Sequence, residues 1–302
     1  MITNRLYNED YALIMDFLRE MYLETKTEYC WLPQRWEYAE HFVNHLFMEL
    51  GDDDWHRYIR IWEENGRIVG ICHNEDGDNA FLQVRPGYES LTDEMLDHAE
   101  STIARYNSEG VKTLTVWSPE SNTYRNKRLI ARGYTRGDDC SYLNAQYLDK
   151  EYAPHLPDGY SITSADVFAD TLRRQNTVRR AFNPDKEDLT EVSGSFLKME
   201  KAPLFRPDLE ILTQYKDGSL ASFCCVWYDE ATKIGMFEPV GTHPDHRRLG
   251  LGREMLQEGL RRLKAIGANR AFVGAYGSNR KAFYNSAGFE TFDADWWWTK
   301  EF

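Results

Sequence analysis

The sequence predicts an α/β protein made of two tandem domains that share one plan, each a mixed β-sheet flanked by helices. Its 302 residues are enough for two ordinary domains, each with its own core. Two strong hairpin signals, Asn65-Gly66 and Asp217-Gly218, lie at matching places in the two halves. Helical patterning precedes the hairpin in both halves, near 10–23 and 34–47 in the first and near 165–182 in the second, and a strand, a proline and a helix follow it. A repeat of roughly 150 residues indicates a duplicated domain rather than a solenoid.

The formal net charge is -13, and most of the acidic excess lies in residues 1–150. An acidic surface of this kind argues against nucleic acid, whose phosphates require a basic footprint, and favours cations such as amines. The polar start lacks the apolar segment of a signal peptide, and no stretch is apolar enough to span a membrane. The five cysteines show no C-x-x-C spacing. We therefore expect a cytoplasmic protein with reduced thiols that does not bind membranes.

The two halves can be aligned residue by residue around the strand that follows each hairpin. The segment VRPGYESLTDEML (84–96) lies over THPDHRRLGLGREML (242–256), and LIARGY (129–134) lies over YNSAGF (284–289). The first copy lacks the paired arginines and the glycines of the second. We predict a degenerate domain over 1–150, a linker over 151–160 that is rich in proline and glycine, and a functional domain over 161–302.

The segment between Thr242 and the following helix has the features of an anion site. A predicted strand ends near Pro244, and the apolar spacing of residues 251–266 predicts an amphipathic helix. Glycines between the two remove Cβ atoms, so that backbone N–H groups can converge on one ligand at the start of a helix. Neighbouring arginines add charge-assisted hydrogen bonds, and a diphosphate fits this pattern. The alternative is a plain surface turn before a solvated helix.

These segments resemble the GNAT acetyltransferase superfamily. Arg247, Gly250 and Gly252 fall on the family's R/Q-x-x-G-x-G/A positions, and Tyr284, Gly288 and Phe289 on its Y-x-x-x-G-F positions. The resemblance implies acetyl-CoA as acyl donor, with the pantetheine arm threaded between two splayed strands of a mixed sheet. The candidate cofactor-binding residues are Val240, Gly241, Thr242, Arg247, Arg248, Leu249, Gly250, Leu251, Gly252, Arg253 and Asn279. Asn279 departs from the family spacing, since it precedes the tyrosine by five residues instead of seven.

Acetyl transfer to an amine needs a base, an oxyanion donor and an acid for the departing thiolate. The resemblance places Tyr284 near the thioester sulfur, where a phenol can give its proton to the thiolate. Glu238, on the same strand face as Val240 and Thr242, is the candidate base, and a structural glutamate is the alternative reading. His243 and His246 are the other candidate bases. The oxyanion donor is expected among the N–H groups of Val240 to Thr242.

The resulting prediction is an N-acetyltransferase that moves an acetyl group from acetyl-CoA to a primary amine of a small molecule in a ternary complex. Two alternatives stay open: acetylation of a protein or peptide N-terminus, and a non-catalytic module that senses acyl-CoA. No metal is expected, because His41, His45 and Glu37 form only an incomplete ligand set. The sequence leaves the acceptor, the acyl length and the oligomeric state, monomer or homodimer, undecided.

Overall fold

The structure, a computed structural model, describes all residues from 1 to 302, and they divide into two compact units. The first unit comprises residues 1–143 and 292–302, and the second comprises residues 144–291. This division differs from the predicted domains, which place the C-terminal residues in the second half. The reason is strand pairing: Asp295–Glu301 pairs antiparallel with Thr113–Pro119 of the first unit. Residues 148–159 form no helix or strand.

The first unit contains six strands and five α-helices in the first 134 residues, and its sheet is mixed. The strands are β1 (Ile2–Leu6), β2 (Arg60–Glu64), β3 (Arg67–Asn74), β4 (Asn79–Val84), β5 (Arg105–Tyr106) and β6 (Lys112–Pro119). The helices are α1 (Tyr11–Thr25), α2 (Pro33–Tyr38), α3 (Asn44–Glu49), α4 (Thr92–Thr102) and α5 (Thr123–Ala131). The π-helical segment Ala39–Val43 joins α2 to α3. Helical structure therefore runs without a break over residues 34–47, where the sequence predicts a helix.

The second unit repeats this order of elements. The strands that follow are β7 (Thr135–Tyr147), β8 (Tyr160–Ser164), β9 (Glu210–Tyr215), β10 (Leu220–Asp229), β11 (Ile234–Thr242), β12 (Arg270–Tyr276) and β13 (Glu290–Glu301). The helices are α6 (Thr171–Phe182), α7 (Gly194–Met199), α8 (Leu251–Ala265) and α9 (Gly277–Ser286). Strands β7 and β13 each contribute residues to both units. The predicted fold class, a mixed sheet flanked by helices in each of two repeated domains, is confirmed.

The strand order is the same in the two units. The order in the first unit is β1-β2-β3-β4-β6-β13, with β5 paired to β6 at its side. The order in the second unit is β8-β9-β10-β11-β12-β7. Both predicted hairpins form: Asn65 and Gly66 take positive φ values of 51° and 75°, as a two-residue hairpin turn requires.

The helix predicted over 165–182 begins later, at Thr171. The Asp170 side chain accepts a hydrogen bond from the backbone N–H of Arg173 and so caps the helix at this point. Residues 165–169 precede the cap and lie outside the helix.

Helix α8 lies close against the sheet because the helix residue that faces β11 is a glycine, Gly259. A Cβ atom at Gly259 would come within 2.4 Å of the ring of Phe237 on β11. The absence of that atom lets the helix axis approach the strand that leads to the candidate site. Leu256, Leu260 and Leu263 of α8 are fully buried, as the amphipathic spacing predicted.

No helix of the structure combines the length and the apolar character that crossing a membrane would require. The five cysteines are buried, and none forms a disulfide.

Candidate active site

The candidate site begins where β11 separates from β12. The two strands pair in parallel only over Ile234↔Arg270, Gly235↔Ala271 and Met236↔Phe272. Beyond these pairs β11 continues from Phe237 to Thr242 while it stays paired with β10 on its other edge. The remainder of β11 therefore presents one open edge. A splayed pair of strands is what the resemblance to GNAT acetyltransferases implies for the second half.

The open edge of β11 carries backbone donors whose direction follows from strand alternation. The N–H of His243 donates to the carbonyl of Ala221, one residue beyond the paired end of β10. Because N–H groups alternate between the two edges of a strand, those of Val240 and Thr242 point away from β10. Pro239 has no N–H at all. Val240 and Thr242 are thus the two donors that the open edge offers.

The turn between β11 and α8 forms a concave group of backbone donors. None of the N–H groups of residues 248–252 donates a hydrogen bond within the protein. Arg248 and Gly250 have left-handed φ values of 63° and 82°, and this alternation of backbone conformation turns successive N–H groups toward one side. A Cβ atom placed on Gly250 would meet nothing within 4 Å, so no side chain fills the space. The arrangement can hold an anion at the start of a 15-residue helix.

The three predicted arginines have different surroundings. Arg247 donates from Nε to the Thr242 carbonyl at 3.2 Å and from Nη2 to the Ala181 carbonyl at 2.8 Å. These bonds tie its guanidinium to the end of β11 and the end of α6. Arg248 is exposed and makes no side-chain hydrogen bond, and Arg253 lies 4.0 Å from a Glu254 carboxylate oxygen. Arg248 and Arg253 are therefore the arginines with donors available to a bound anion.

The second glycine of the turn has a different role from the first. A Cβ atom on Gly252 would lie 3.0 Å from Cζ of Phe283 on α9 and 3.5 Å from Oγ1 of Thr242. Gly252 thus lets the first turn of α8 approach both α9 and the end of β11. Leu249, which precedes the first glycine, is 46% exposed, whereas Leu251, between the two glycines, is buried and anchors the start of the helix.

The charge of Glu238, the predicted base, affects the pKa of Tyr284, the predicted acid. Tyr284 lies near the end of α9 and is buried, and its hydroxyl makes no hydrogen bond within the protein. Burial, reinforced by the negative charge of Glu238 on β11, raises the pKa of Tyr284 well above its ordinary value. The phenol is therefore protonated at neutral pH, as a proton donor must be. Glu238 itself is half-buried on the segment of β11 beyond its pairing with β12.

The two alternative bases, His243 and His246, both form hydrogen bonds with neighbouring groups. The Nδ1 atom of His246 lies 2.8 Å from the hydroxyl of Tyr160, and the ring also contacts Tyr215. His243 accepts a 3.3 Å hydrogen bond from the N–H of Asp245, and burial lowers its pKa. Both imidazoles lie in the turn after β11.

Asn279, the residue with the irregular spacing, is exposed on the first turn of α9 and makes no hydrogen bond. The structure contains no group of three His, Cys, Asp or Glu side chains arranged to hold a metal ion.

One contact at the site was not anticipated from the sequence. The indole nitrogen of Trp227, a fully buried residue of β10, donates a 2.6 Å hydrogen bond to the backbone carbonyl of Glu238. The register of β10 and β11 shifts between Cys224 and Val226, and this irregularity lies opposite Glu238 and Pro239. A tryptophan in an apolar strand is an ordinary core residue, so the sequence contains no signal for this bond.

Comparison with known proteins finds similarity over the segment that contains the candidate site. Residues 174–289, which contain β11, the turn, α8, β12 and α9, match the model of the Acetyltransferase (GNAT) family. This part of the second unit is similar to the GNAT acetyltransferases. The glycine turn before α8 and the open edge of β11 both lie within the matched segment.

Relatives extend the similarity beyond the matched segment. A mycothiol acetyltransferase of Saccharomonospora viridis is 23% identical over 250 residues, which cover 76% of this chain and 78% of that protein. A GCN5-related N-acetyltransferase of Sphaerobacter thermophilus superposes with a TM-score of 0.65 at 16% identity, over 99% of this chain and 95% of that one. A tandem GNAT protein of the clavulanic acid biosynthesis pathway superposes with a TM-score of 0.64 at 16% identity, over 100% of this chain and 98% of that one. The duplicated GNAT fold predicted from the sequence is thereby confirmed.

Proposed function

We propose that the second unit binds acetyl-CoA and transfers its acetyl group to a primary amine of a small molecule by direct attack in a ternary complex. The observation that carries the proposal is the run of unpaired N–H groups over residues 248–252. A diphosphate accepts several such hydrogen bonds at once, and the dipole of α8 adds about 0.3–1 kcal/mol to its binding. The exposed side chains of Arg248 and Arg253 add charge-assisted contacts beside it.

The open edge of β11 suits the pantetheine arm. An extended chain with amide groups can continue the hydrogen-bonding pattern of an unpaired strand edge, and the N–H groups of Val240 and Thr242 are the donors on that edge. The same edge lies next to Glu238, so an acyl group at the end of the arm would meet the carboxylate. Acetyl-CoA supplies an acetyl group activated as a thioester.

The proton transfers follow from the two ionisable groups on this part of the fold. The amine nitrogen forms a bond to the acetyl carbon, and the bond from that carbon to sulfur breaks. Glu238 accepts the proton that the amine loses, directly or through water. Tyr284, whose raised pKa keeps its hydroxyl protonated, gives a proton to the departing thiolate. The N–H of Val240 or Thr242 stabilises the negative charge that develops on the acetyl oxygen.

A small amine is the preferred acceptor for two reasons. Relatives named mycothiol acetyltransferase support acetylation of a small molecule. The net charge of -13 favours association with a cationic acceptor at moderate salt. A peptide or protein N-terminus is the second candidate acceptor, since it is also an amine. A non-catalytic acyl-CoA sensor is the third reading, and it requires neither Tyr284 nor Glu238.

An acceptor screen separates these functions. The purified chain is incubated with acetyl-CoA and with simple amines, polyamines, aminoglycosides or peptides that have free N-termini. Released thiol and the mass of the acetylated product are both measured. Acceptor-dependent thiol release with a small amine is the expected result. Release with peptides alone would favour the second candidate, and CoA binding without release for any acceptor would leave a sensor.

A further inference from the structure

The first unit contains the same pair of separating strands as the second. Strands β4 and β6 pair in parallel only at Asn79↔Thr115 and Ala80↔Val116, after which β4 continues to Val84. In the order of elements, β4 and β6 of the first unit correspond to β11 and β12 of the second. The first unit therefore has a cleft of the kind that we assign to pantetheine in the second unit.

A buried arginine spans this cleft. Arg125 on α5 is 6% exposed, and its Nη2 donates to the Leu82 carbonyl of β4 at 2.7 Å. Its Nη1 lies 3.4 Å from the Trp117 carbonyl of β6. Both carbonyls lie beyond the paired residues of their strands, so the guanidinium occupies the space between the separated ends.

The next carbonyl on the same edge of β4 also accepts a hydrogen bond from a side chain. Carbonyl groups of alternate residues share one strand edge, so Val84 presents its oxygen on the same side as Leu82. The Cys30 thiol lies 3.7 Å from the Val84 oxygen and donates to it. An entering pantetheine would have to displace a buried guanidinium and a buried thiol, and it would leave the charge of Arg125 without its carbonyl partners.

The corresponding arginine of the second unit behaves differently. Aligning Leu129 with Tyr284 places Arg125 opposite Arg280. Arg280 is exposed, and its Nη1 bonds the carbonyl of Tyr276 at the end of its own strand. The second cleft is not crossed by this side chain.

The turn after β4 is also closed to an anion. The N–H of Gly87 donates to a carboxylate oxygen of Glu89 at 3.0 Å, so an acidic side chain of the protein already occupies this position. Asp93 and Glu94 lie in the first turn of α4 and would repel a diphosphate. Arg85, the nearest arginine in the sequence, is buried and engaged by Glu20 and Glu24.

We propose that the first unit is closed to acyl-CoA by its own side chains, with Arg125 in place of the pantetheine and Glu89 in place of the diphosphate. The chain accordingly holds one CoA, in the second unit. The count of one rests on the proposed function, whereas the closure of the first unit rests on the contacts of Arg125, Cys30 and Glu89.

Native mass spectrometry of the full chain with excess CoA tests the count. One bound CoA per chain is expected for the unaltered protein, and none is expected for the Gly250→Val variant. A second CoA on the unaltered chain would overturn the closure, and one retained by the folded Gly250→Val variant would overturn the assignment of the single CoA to the glycine turn of the second unit. No bound CoA on the unaltered chain would contradict the proposed function while agreeing with a closed first unit.

Hydrogen exchange of the unaltered chain tests the location without any substitution. Added CoA should slow amide exchange in peptides that cover residues 238–253 and leave peptides over residues 82–92 unchanged. Protection of residues 82–92 by CoA would overturn the proposal, since it would place the ligand in the cleft that Arg125 spans.

Discussion

The side chain of Trp227 holds the backbone of Glu238: its indole N–H donates a 2.6 Å hydrogen bond to the Glu238 carbonyl. The bond lies beyond the residues of β11 that pair with β12, at the point where the register with β10 shifts. It fixes the strand at the residue that carries the candidate base.

Replacing Trp227 with Phe removes this donor and keeps an aromatic ring in the core. We expect kcat to fall about tenfold, the equivalent of one buried hydrogen bond, with little change in the affinity for acetyl-CoA. The measurement is steady-state kinetics with the acceptor found in the screen. Trp62→Phe is the matched control, because Trp62 is fully buried in the first unit and its indole nitrogen has no partner. Equal kinetics for the two variants would remove Trp227 from the positioning of Glu238.

Replacing Tyr284 with Phe removes the proposed proton donor. We expect kcat to fall roughly 10²–10⁴-fold, as for loss of a general acid, while binding of acetyl-CoA is retained. The rate of thiol release and calorimetric binding are measured on the same preparation. Tyr228→Phe is the control, because Tyr228 is also buried in the second unit and its hydroxyl makes only a 3.5 Å contact with the Ile266 carbonyl. Thiol release by Tyr284→Phe at the unaltered rate would exclude the phenol from the chemistry.

The raised pKa of Tyr284 sets the expected pH profile. Burial and the Glu238 charge favour the neutral phenol, so its proton is retained above the ordinary tyrosine pKa of about 10. The amine acceptor loses its proton as the pH rises, so the rate should increase from pH 6 to pH 9 without an alkaline decline. Initial rates over this range check the prediction. A decline between pH 8 and pH 9 that disappears in Tyr284→Phe would contradict the raised pKa.

Asp295 in the first unit makes stability depend on pH. Its Oδ1 atom is buried without a partner, and burial raises the pKa of the carboxyl to about 7. Between the ordinary value of about 3.9 and this raised value, the unfolded chain ionises first, so the stability contribution is lost as the pH rises through this window. Asp295→Asn should therefore raise the Tm by a few degrees at pH 8 and leave it nearly unchanged at pH 4.

Thermal unfolding of the two proteins at both pH values provides the comparison. Asp138→Asn is a suitable control, because Asp138 is an exposed residue of β7. A Tm gain for Asp295→Asn that is as large at pH 4 as at pH 8 would show that ionisation of Asp295 is not the cause.

Local patterns predicted most of the second unit. The strand ending near Pro244, the glycine turn and the amphipathic helix appear as β11, the turn and α8, because their spacing is fixed by short-range backbone geometry. Glu238 and Tyr284 lie 46 residues apart in the sequence. The role of Tyr284 came from family resemblance, whereas Glu238 was chosen for its face of the strand. The structure relates the two through the effect of the Glu238 charge on the pKa of Tyr284.

Contacts that depend on tertiary packing could not be predicted. Strand β13 pairs with β6 of the first unit, a choice made between strands that are far apart in sequence. Arg125 resembles any arginine of a solvated helix in the sequence, yet its guanidinium is buried between two carbonyls. Arg247 fits the motif of an anion ligand, whereas its side chain bonds the carbonyls of Thr242 and Ala181.

The most direct test of the account is calorimetric titration of acetyl-CoA into the unaltered chain, Gly250→Val and Gly267→Val. Gly250 and Gly267 flank the same helix, have φ values of 82° and 87°, and both have open space where a Cβ atom would lie. The two substitutions therefore impose similar backbone strain, and only the first places a side chain among the N–H groups of residues 248–252. We predict loss of binding by Gly250→Val and near-normal affinity for Gly267→Val. Undiminished affinity in a folded Gly250→Val protein would contradict the claim that these amides hold the diphosphate.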